Sequence, residues 1–137
     1  MNERNPELKT PDLLYIRSNA LNKRSVGQQQ EQTAAEYLEK SGYKIVNRNY
    51  RCRLGEIDII AYHKGYLVFI EVKYRKDNRS GSPEEAVNSK KQRQISKVAA
   101  WYLAERRISL DTPCRFDVVA VTPENVRIYE NAFPFQR

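Results

Sequence analysis

The sequence predicts an α/β fold in which helices flank a mixed central sheet, in the order helix, three strands, helix, two strands. Alternating apolar and charged residues over Gly55–Arg75 predict two strands joined by a turn. Apolar residues recur at helical spacing in Gln28–Ser41 and in Lys90–Arg107. A further alternating stretch, Arg115–Val121, is followed by a turn and a short strand, Val126–Tyr129. The 137 residues are enough for one domain whose core needs no disulfides.

The chain begins with Met1–Ser25, which is polar, contains two prolines and shows no sustained period. We expect it to be an extension outside the single domain of residues 26–137, either mobile or docked on a neighbour through Leu13–Ile16. The first helix ends at Ser41-Gly42, and Tyr43–Cys52 follows as the first strand because its apolar and polar residues alternate.

The second half of the chain carries its own signals. Ser82-Pro83-Glu84-Glu85 predicts a helix start, with serine as N-cap, proline at the first position and glutamate closing a capping box. Asp117 lies in an apolar strand, and Arg115 on the same face is its expected ion-pair partner. His63 falls at the hairpin turn, which favours a surface position. The terminal Phe133-Pro134-Phe135 segment is predicted to pack on the core.

Composition narrows the class of partner. Lysine and arginine number 24 and aspartate and glutamate 17, which gives a net charge of +7. A basic domain favours nucleic acid as a partner, although a solvated charged surface is the plain alternative.

Cys52 and Cys114 have no metal or redox spacing, so we expect reduced thiols in a cytoplasmic protein. The apolar runs are too short to span a membrane, and the start has no export signal.

The register of the hairpin follows from its turn. A two-residue turn at Lys64-Gly65 pairs residues whose numbers sum to 129. Asp58 then lies opposite Glu71, and Glu56 lies opposite Lys73. Alternation places all four charged side chains on one face of the hairpin, together with large apolar residues.

Two carboxylates side by side on a half-buried sheet face repel each other and need a counter-charge. A divalent cation is the usual one, and oxygen-only ligands suit Mg²⁺ or Mn²⁺. Lys73 lies two residues beyond Glu71 on the same side, where its ammonium is near whatever the metal holds. The opposite face of the first hairpin strand is predicted to carry Ile57, Ile59 and Ala61.

These residues carry a resemblance. Asp58, twelve intervening residues and then Glu71-Val72-Lys73 resemble the PD-(D/E)xK signature of metal-dependent nucleases, with Ile57 where the motif's name has proline. More specifically, the strings GEIDIIA, LVFIEVKYR, GSPEEAV and KQRQ resemble the small bacterial UPF0102 (YraN-like) family. That family is similar in fold to Holliday-junction resolvases. The resemblance covers about Val26 to Tyr129 and implies a restriction-endonuclease-like core.

The resemblance implies phosphodiester hydrolysis that leaves a 5′-phosphate and a 3′-hydroxyl, with Asp58, Glu71 and Lys73 as catalytic residues. On this hypothesis Mg²⁺ or Mn²⁺ is held by oxygen atoms. These come from Asp58, Glu71 and the Val72 backbone carbonyl, with Glu31 or Glu56 completing the shell directly or through water. Two plain alternatives stay open: Glu31 as a surface glutamate near a helix N-terminus, and Glu56 as an ion-pair partner of Lys73.

Basic residues beside the hairpin and at the start of the second long helix are candidates for phosphate contact. They are Arg48, Arg51, Arg53, Arg75, Lys90, Lys91 and Arg93. The arginines of the first strand have a structural alternative, which is to neutralise Glu56 and Asp58, and the helical charges have a solvated face as theirs. Trp101 is expected in the core rather than at a base-stacking surface.

The function predicted from these features is a metal-dependent nuclease acting on nucleic acid, with structured or branched DNA favoured. A nucleic-acid-binding module of the same fold without turnover is the first alternative. A protein-interaction domain, in which the charged residues only form ion pairs, is the second. The likeness to resolvases, which act as dimers on a two-fold junction, makes a homodimer a candidate assembly.

Overall fold

Five strands form one mixed sheet whose spatial order follows the chain from β1 to β5. The computed structural model of the protein describes residues 19–76 and 87–137, with side chains from residue 26 onward. The elements in chain order are α1 (Asn19–Lys40), β1 (Lys44–Cys52), β2 (Gly55–His63), β3 (Tyr66–Tyr74), α2 (Ser89–Glu105), β4 (Cys114–Val121) and β5 (Val126–Tyr129). Over the described residues this is the predicted α/β order, and it is consistent with a restriction-endonuclease-like core.

Strand β3 lies at the centre of the sheet. It pairs antiparallel with β2 and parallel with β4, along the ladder from Leu67–Cys114 to Tyr74–Val121. The outer pairs, β1 with β2 and β4 with β5, are antiparallel. Parallel neighbours need a crossover connection, and the chain segment between β3 and β4 contains α2.

The hairpin between β2 and β3 has the predicted turn and register. The ladder runs from Ile59–Ile70 to His63–Tyr66, and every pair sums to 129. The two turn residues, Lys64-Gly65, have φ angles of 52° and 85°. Positive φ at both central positions defines the type I′ geometry, whose twist matches that of the flanking strands. The register predicted from a two-residue turn is therefore confirmed for this part of the hairpin.

Each face of the sheet packs against one helix through its own apolar cluster. The cluster on the α1 side joins Ala34, Ala35 and Leu38 of the helix to residues of β2, β3 and β4. The cluster on the α2 side joins Ile95, Val98, Ala99, Tyr102 and Leu103 of the helix to another set from the same strands. Burial of these clusters against the sheet stabilises the three layers.

The bounds of the second long helix, Ser89–Glu105, lie within two residues of the predicted Lys90–Arg107, whereas the first helix starts much earlier than predicted. Helix α1 begins at Asn19, nine residues before the predicted start at Gln28. Its first turns are rich in polar residues without an apolar stripe, so periodicity gave no sign of them. Helix α2 is capped by Asn88, whose side chain accepts the Lys91 amide proton at 2.8 Å. Residues 1–18 and the predicted helix start at 82–85 lie outside the described residues.

A buried polar network crosses the sheet near the hairpin turn. Asp117 is fully buried and accepts hydrogen bonds from Arg115 Nε at 2.8 Å, Tyr43 Oη at 2.7 Å and the Asn131 amide at 2.9 Å. The predicted Arg115–Asp117 pair is confirmed. The surface position predicted for His63 is wrong, because its ring is buried and stacks on Tyr43 with a centroid distance of 3.8 Å. Its Nδ1 accepts a 2.8 Å hydrogen bond from Arg115.

The chain ends on the α2 side of the sheet. Phe133 is buried and stacks on Phe116 at 5.1 Å between ring centroids, as predicted, whereas Phe135 stays half exposed. Cys52 and Cys114 are free and partly buried. Within the described ranges, no helix has the length and apolar character needed to cross a bilayer.

Candidate metal-binding and nucleic-acid-binding site

Strand β2 changes phase at Asp58. Ile59 and Ala61 belong to the cluster on the α1 side, and Ile60 belongs to the cluster on the α2 side, as strict alternation requires. Ile57 also belongs to the α2 side, although alternation would place it with Ile59. The predicted position of Ile57 is therefore wrong. A local irregularity of this kind re-aims one side chain, and here that side chain is Asp58.

Strand β1 carries a matching irregularity. Asn49 has a φ of 55°, in the left-handed region, and lies between the ladder pairs Arg48–Ile59 and Tyr50–Ile57. It therefore faces the point of β2 where the phase changes. Asparagine is one of the few residues that adopt this conformation at low cost, because its side chain can bond locally.

The carboxylate of Asp58, and not a backbone carbonyl of β2, accepts a hydrogen bond from β3 at this point of the hairpin. It accepts the amide proton of Val72 at 2.8 Å, and the β2–β3 ladder ends one pair earlier, at Ile59–Ile70. Burial raises the pKa of Asp58 to about 6, the Val72 hydrogen bond opposes this, and the nearby charges of Glu31 and Glu56 add to it. Asp58 thus has three predicted site residues as near neighbours.

Glu71 is more deeply buried than Asp58. It is 9% exposed, and burial followed by the charge of Asp58 raises its pKa to about 7. Lys91 and then Lys73 oppose this shift, and Lys91 Nζ lies 4.0 Å from Glu71 Oε2. Asp58 and Lys73 are therefore both close enough to Glu71 for their charges to change its pKa. However, the continuous ladder that was predicted to join them is absent from this part of the hairpin.

The two outer carboxylates are ion-paired with arginines of β1. Glu31 of α1 lies 3.6 Å from Arg48, and Glu56 lies 2.9 Å from Arg51. Two structural partners were expected for Glu56, Lys73 and the arginines of the first strand. The ion pair forms with Arg51, which is the ladder partner of Glu56. In the described part of the chain, no three His, Cys, Asp or Glu side chains are grouped tightly enough to hold an ion by themselves.

Asp58 lines a cleft of about 770 Å³ between α1 and the sheet. Glu31 of α1, Asn49 and Arg51 of β1, and Tyr74 of β3 line it as well. The cleft is polar and open to solvent, so a charged ligand reaches the carboxylate without crossing the core. Asn49 and Tyr74 were not singled out in the sequence, because their contribution depends on the phase change in β1 and on the position of α1.

The predicted phosphate-binding residues occupy four places. Arg48 and Arg51 border the cleft through the ion pairs described above, and Arg48 also donates to Gln32 Oε1 at 2.7 Å. Arg53 lies over Trp101, with its guanidinium carbon 5.3 Å from the ring centroid. Lys90, Lys91 and Arg93 lie in the first two turns of α2. Arg75 follows β3, where its backbone amide donates to Val121 at 2.8 Å.

The carboxylates of Asp58, which lines the cleft, and of the buried Glu71 fit a hard divalent cation. No hydrogen-bond donor within the described residues reaches the Glu71 carboxylate, whose nearest recorded contact is the Lys91 ammonium. A buried acid without a donor is costly unless something else compensates its charge. Mg²⁺ in proteins takes one or two carboxylates and completes its shell with water and phosphate oxygens. Asp58 and Glu71 supply such a set.

The fold and this site define an α/β protein with a restriction-endonuclease-like core and, on its central hairpin, a half-buried aspartate beside a buried glutamate. The chain belongs to the UPF0102 family, because the family model described as uncharacterised protein family UPF0102 matches residues 30–121. It is 53% identical over 113 residues to a UPF0102 protein of Lachnoclostridium phytofermentans, covering 82% of this chain and 96% of that one. It is 41% identical over 119 residues to one of Caldicellulosiruptor saccharolyticus, covering 82% and 100%.

Proposed function

We propose that this protein is a metal-dependent nuclease that hydrolyses phosphodiester bonds, with structured or branched DNA as its favoured substrate. One observation carries the proposal: Glu71 is a buried carboxylate beside Asp58 and lacks a hydrogen-bond donor among the described residues. Pairs of acids held in this way raise each other's pKa and cost stability, and such costs are concentrated at functional sites. The break in strand alternation at Asp58 is a second local departure from regular structure at the same place.

The chain's own residues have distinct roles in this proposal. Asp58, Glu71 and the Val72 carbonyl would hold Mg²⁺ or Mn²⁺. When bound, such an ion polarises the scissile phosphate and lowers the pKa of its water. The Val72 amide orients the Asp58 carboxylate through its 2.8 Å hydrogen bond. Lys73 lies near Glu71, where it would orient the attacking water and stabilise negative charge that develops on the phosphate.

The charge distribution supports nucleic acid as the substrate. The net charge is +7, and basic side chains border the acidic pair from β1 and from the start of α2. A polyanion is attracted to such a surface, and its affinity falls steeply with salt because counterions are released. Arg48 and Arg51 are ion-paired with glutamates, so a phosphate would compete with those carboxylates for them.

The test is a cleavage assay with junction, flap and linear DNA in the presence of Mg²⁺ or Mn²⁺. We expect wild-type protein to cut at least one of these substrates and Glu71→Gln to lose cutting by at least about 100-fold, since a ligand of the reaction centre is removed. Glu39→Gln, at an exposed position of α1, is the matched control and is expected to cut normally. Cleavage by Glu71→Gln at the wild-type rate would falsify the assignment.

A second candidate is a nucleic-acid-binding module of the same fold without turnover. The ion pairs of Glu31 with Arg48 and of Glu56 with Arg51 favour it, because they leave only two carboxylates for a metal. This candidate predicts salt-dependent DNA binding and no cleavage with either ion on any of the substrate shapes. Binding without cleavage across that panel selects it over the nuclease.

A further inference from the structure

The exposed side of α2 carries a basic stripe that leads to the single tryptophan of the chain. Lys90, Arg93 and Lys97 follow at intervals of three and four residues, so they lie on one side of the helix. All three are exposed, and none forms an ion pair with a residue that the structure describes. Since a helix rises about 1.5 Å per residue, they place three positive charges within about 10 Å.

Trp101 is the next residue on this stripe, four positions after Lys97. Its ring packs against the core cluster on the α2 side but is only partly buried. The guanidinium of Arg53, an exposed residue in the turn between β1 and β2, lies 5.3 Å from the ring centroid. Guanidinium groups and nucleobases are both planar groups that stack on aromatic faces. The Arg53 contact therefore marks a ring surface that a base also fits.

The turn that carries Arg53 is fixed against α2. Gln94 donates a 3.2 Å hydrogen bond to the Leu54 carbonyl. Gly55, the next residue, has a φ of 144°, and a Cβ there would lie 2.8 Å from Gln94 Nε2. This close approach borders a groove of about 470 Å³ that Leu54 lines together with the basic residues of α2. The stripe therefore lies in a groove and not on a convex surface.

The N-terminal end of the basic stripe lies next to the acidic pair. Lys91, the neighbour of Lys90, places its Nζ 4.0 Å from Glu71 Oε2. Trp101 lies ten residues further along the helix, or about 15 Å along the helix axis. A nucleic-acid strand with one phosphate at the acidic pair therefore passes the basic stripe before one of its bases reaches Trp101.

We propose that this side of α2 binds a single-stranded segment of nucleic acid, with phosphates in the groove at Lys90, Arg93 and Lys97 and one base stacked on the Trp101 ring in place of the Arg53 guanidinium. The direction of the strand rests on the proposed nuclease function. A duplex keeps its bases stacked on each other, so only an unpaired base reaches the ring. The substrate class is then a nucleic acid with a single-stranded stretch beside the cleaved bond, such as a flap or an overhang.

The only tryptophan of the chain makes this binding visible without a label. Wild-type protein in EDTA is titrated with a short oligothymidylate, a blunt-ended duplex of two annealed strands without a loop, and heparin, while the emission of Trp101 is recorded. We expect saturable quenching by the oligothymidylate and unchanged emission with the other two, which offer no unpaired base. Equal quenching by the duplex or by heparin would overturn the stacking surface.

Two pairs of variants test the residues. We expect Trp101→Ala to weaken oligothymidylate binding by about 10-fold and Trp101→Phe to weaken it less, since phenylalanine keeps a ring. Lys97 is exposed, so Lys97→Gln leaves the core unchanged. We expect this variant to reduce the slope of log affinity for the oligothymidylate against log salt by about 0.7. Lys44→Gln, at the hairpin-turn end of β1, is its control. Wild-type affinity in folded Trp101→Ala, or equal slopes for the two lysine variants, would contradict the proposal.

The Glu71→Gln variant separates this inference from the proposed function. Stacking needs no metal, so the variant is expected to keep quenching and to lose cleavage. Quenching together with normal cleavage by Glu71→Gln refutes the nuclease assignment alone. Cleavage that depends on Glu71, without quenching by the oligothymidylate, refutes the stacking surface alone.

Discussion

Lys91 of α2 places its Nζ 4.0 Å from Oε2 of Glu71, and it lowers the pKa of that carboxyl more than Lys73 does. Lys73 lies on the same strand as Glu71, whereas Lys91 belongs to α2, the helix that packs on one face of the sheet. The main positive charge near the buried acid is therefore supplied by tertiary packing. It also joins the acidic pair to the basic surface of α2.

This relationship predicts a pH-dependent effect of Lys91→Met. The pKa of Glu71 is about 7, so its carboxyl is charged above that pH and neutral well below it. We expect the variant to lose about 1 kcal/mol of unfolding free energy at about pH 8 and much less at about pH 5.5. Urea unfolding at the two pH values measures this. Lys90→Met is the control, and equal losses by Lys91→Met at both pH values would exclude the pairing.

Removing the charge of Glu71 is expected to stabilise the metal-free protein. The folded-state pKa of about 7 lies above the ordinary value of 4.5, so the folded state holds a proton that the unfolded chain has lost. Stability therefore falls as pH rises between these values and stays low above them. We expect Glu71→Gln to gain about 2 kcal/mol over wild type at about pH 8 and almost nothing at about pH 4. Urea unfolding in EDTA checks this, and a gain that is independent of pH contradicts it.

Metal binding is expected to depend on the same deprotonation of Glu71. Deprotonation lowers the stability of the metal-free protein, but it allows the ion to bind and to stabilise the fold. The ion binds deprotonated carboxylates, and the pKa values of Asp58 and Glu71 are raised to about 6 and about 7. We expect Mn²⁺ to raise the melting temperature clearly at about pH 8 and little at about pH 5.5, with a gain of about 2.7 kcal/mol at 100 times Kd.

Scanning calorimetry with and without Mn²⁺ measures that shift. Asp58→Asn is expected to lose it, and Glu39→Gln, which alters an exposed acid of α1, is expected to keep it. A shift that survives in Asp58→Asn would place the ion elsewhere on the protein.

The buried network near the hairpin turn predicts a large structural effect. Arg115→Met leaves Asp117, which is fully buried, without its bidentate partner, and removes the donor to His63 Nδ1. Breaking one side of a buried ion pair typically costs about 3–5 kcal/mol. Urea unfolding of Arg115→Met should show a loss of that size, against less than about 0.5 kcal/mol for Arg127→Met on exposed β5. A loss below about 1 kcal/mol would mean that the pair is not structurally important.

Local patterns explain why much of the fold was predictable. The two turn residues, Lys64-Gly65, both adopt positive φ, which fixes the hairpin register without reference to any distant residue. The strand with Asp117 was recognised because a lone acid among apolar residues needs a partner, and Arg115 was two residues away. Signals of this kind depend only on chain neighbours.

The errors arose where distant elements decide the outcome. His63 is buried because Arg115, 52 residues later in the chain, brings a cation against its ring nitrogen. Ile57 changes face because β1 and β2 shift phase together at Asn49, and a single strand pattern cannot show a two-strand irregularity. The contact of Lys91 with Glu71 depends on how α2 crosses the hairpin, and helical periodicity describes only the helix itself.

The central position of β3 has a consequence for how the chain assembles. Its partner β4 consists of residues 114–121, each of which leaves the ribosome 47 residues after its pairing partner in β3. Until they arrive, β3 presents an apolar, unpaired margin, and such margins invite association between nascent chains. Closing the β2–β3 hairpin covers only the opposite margin of β3, so the margin that faces β4 stays open until β4 emerges.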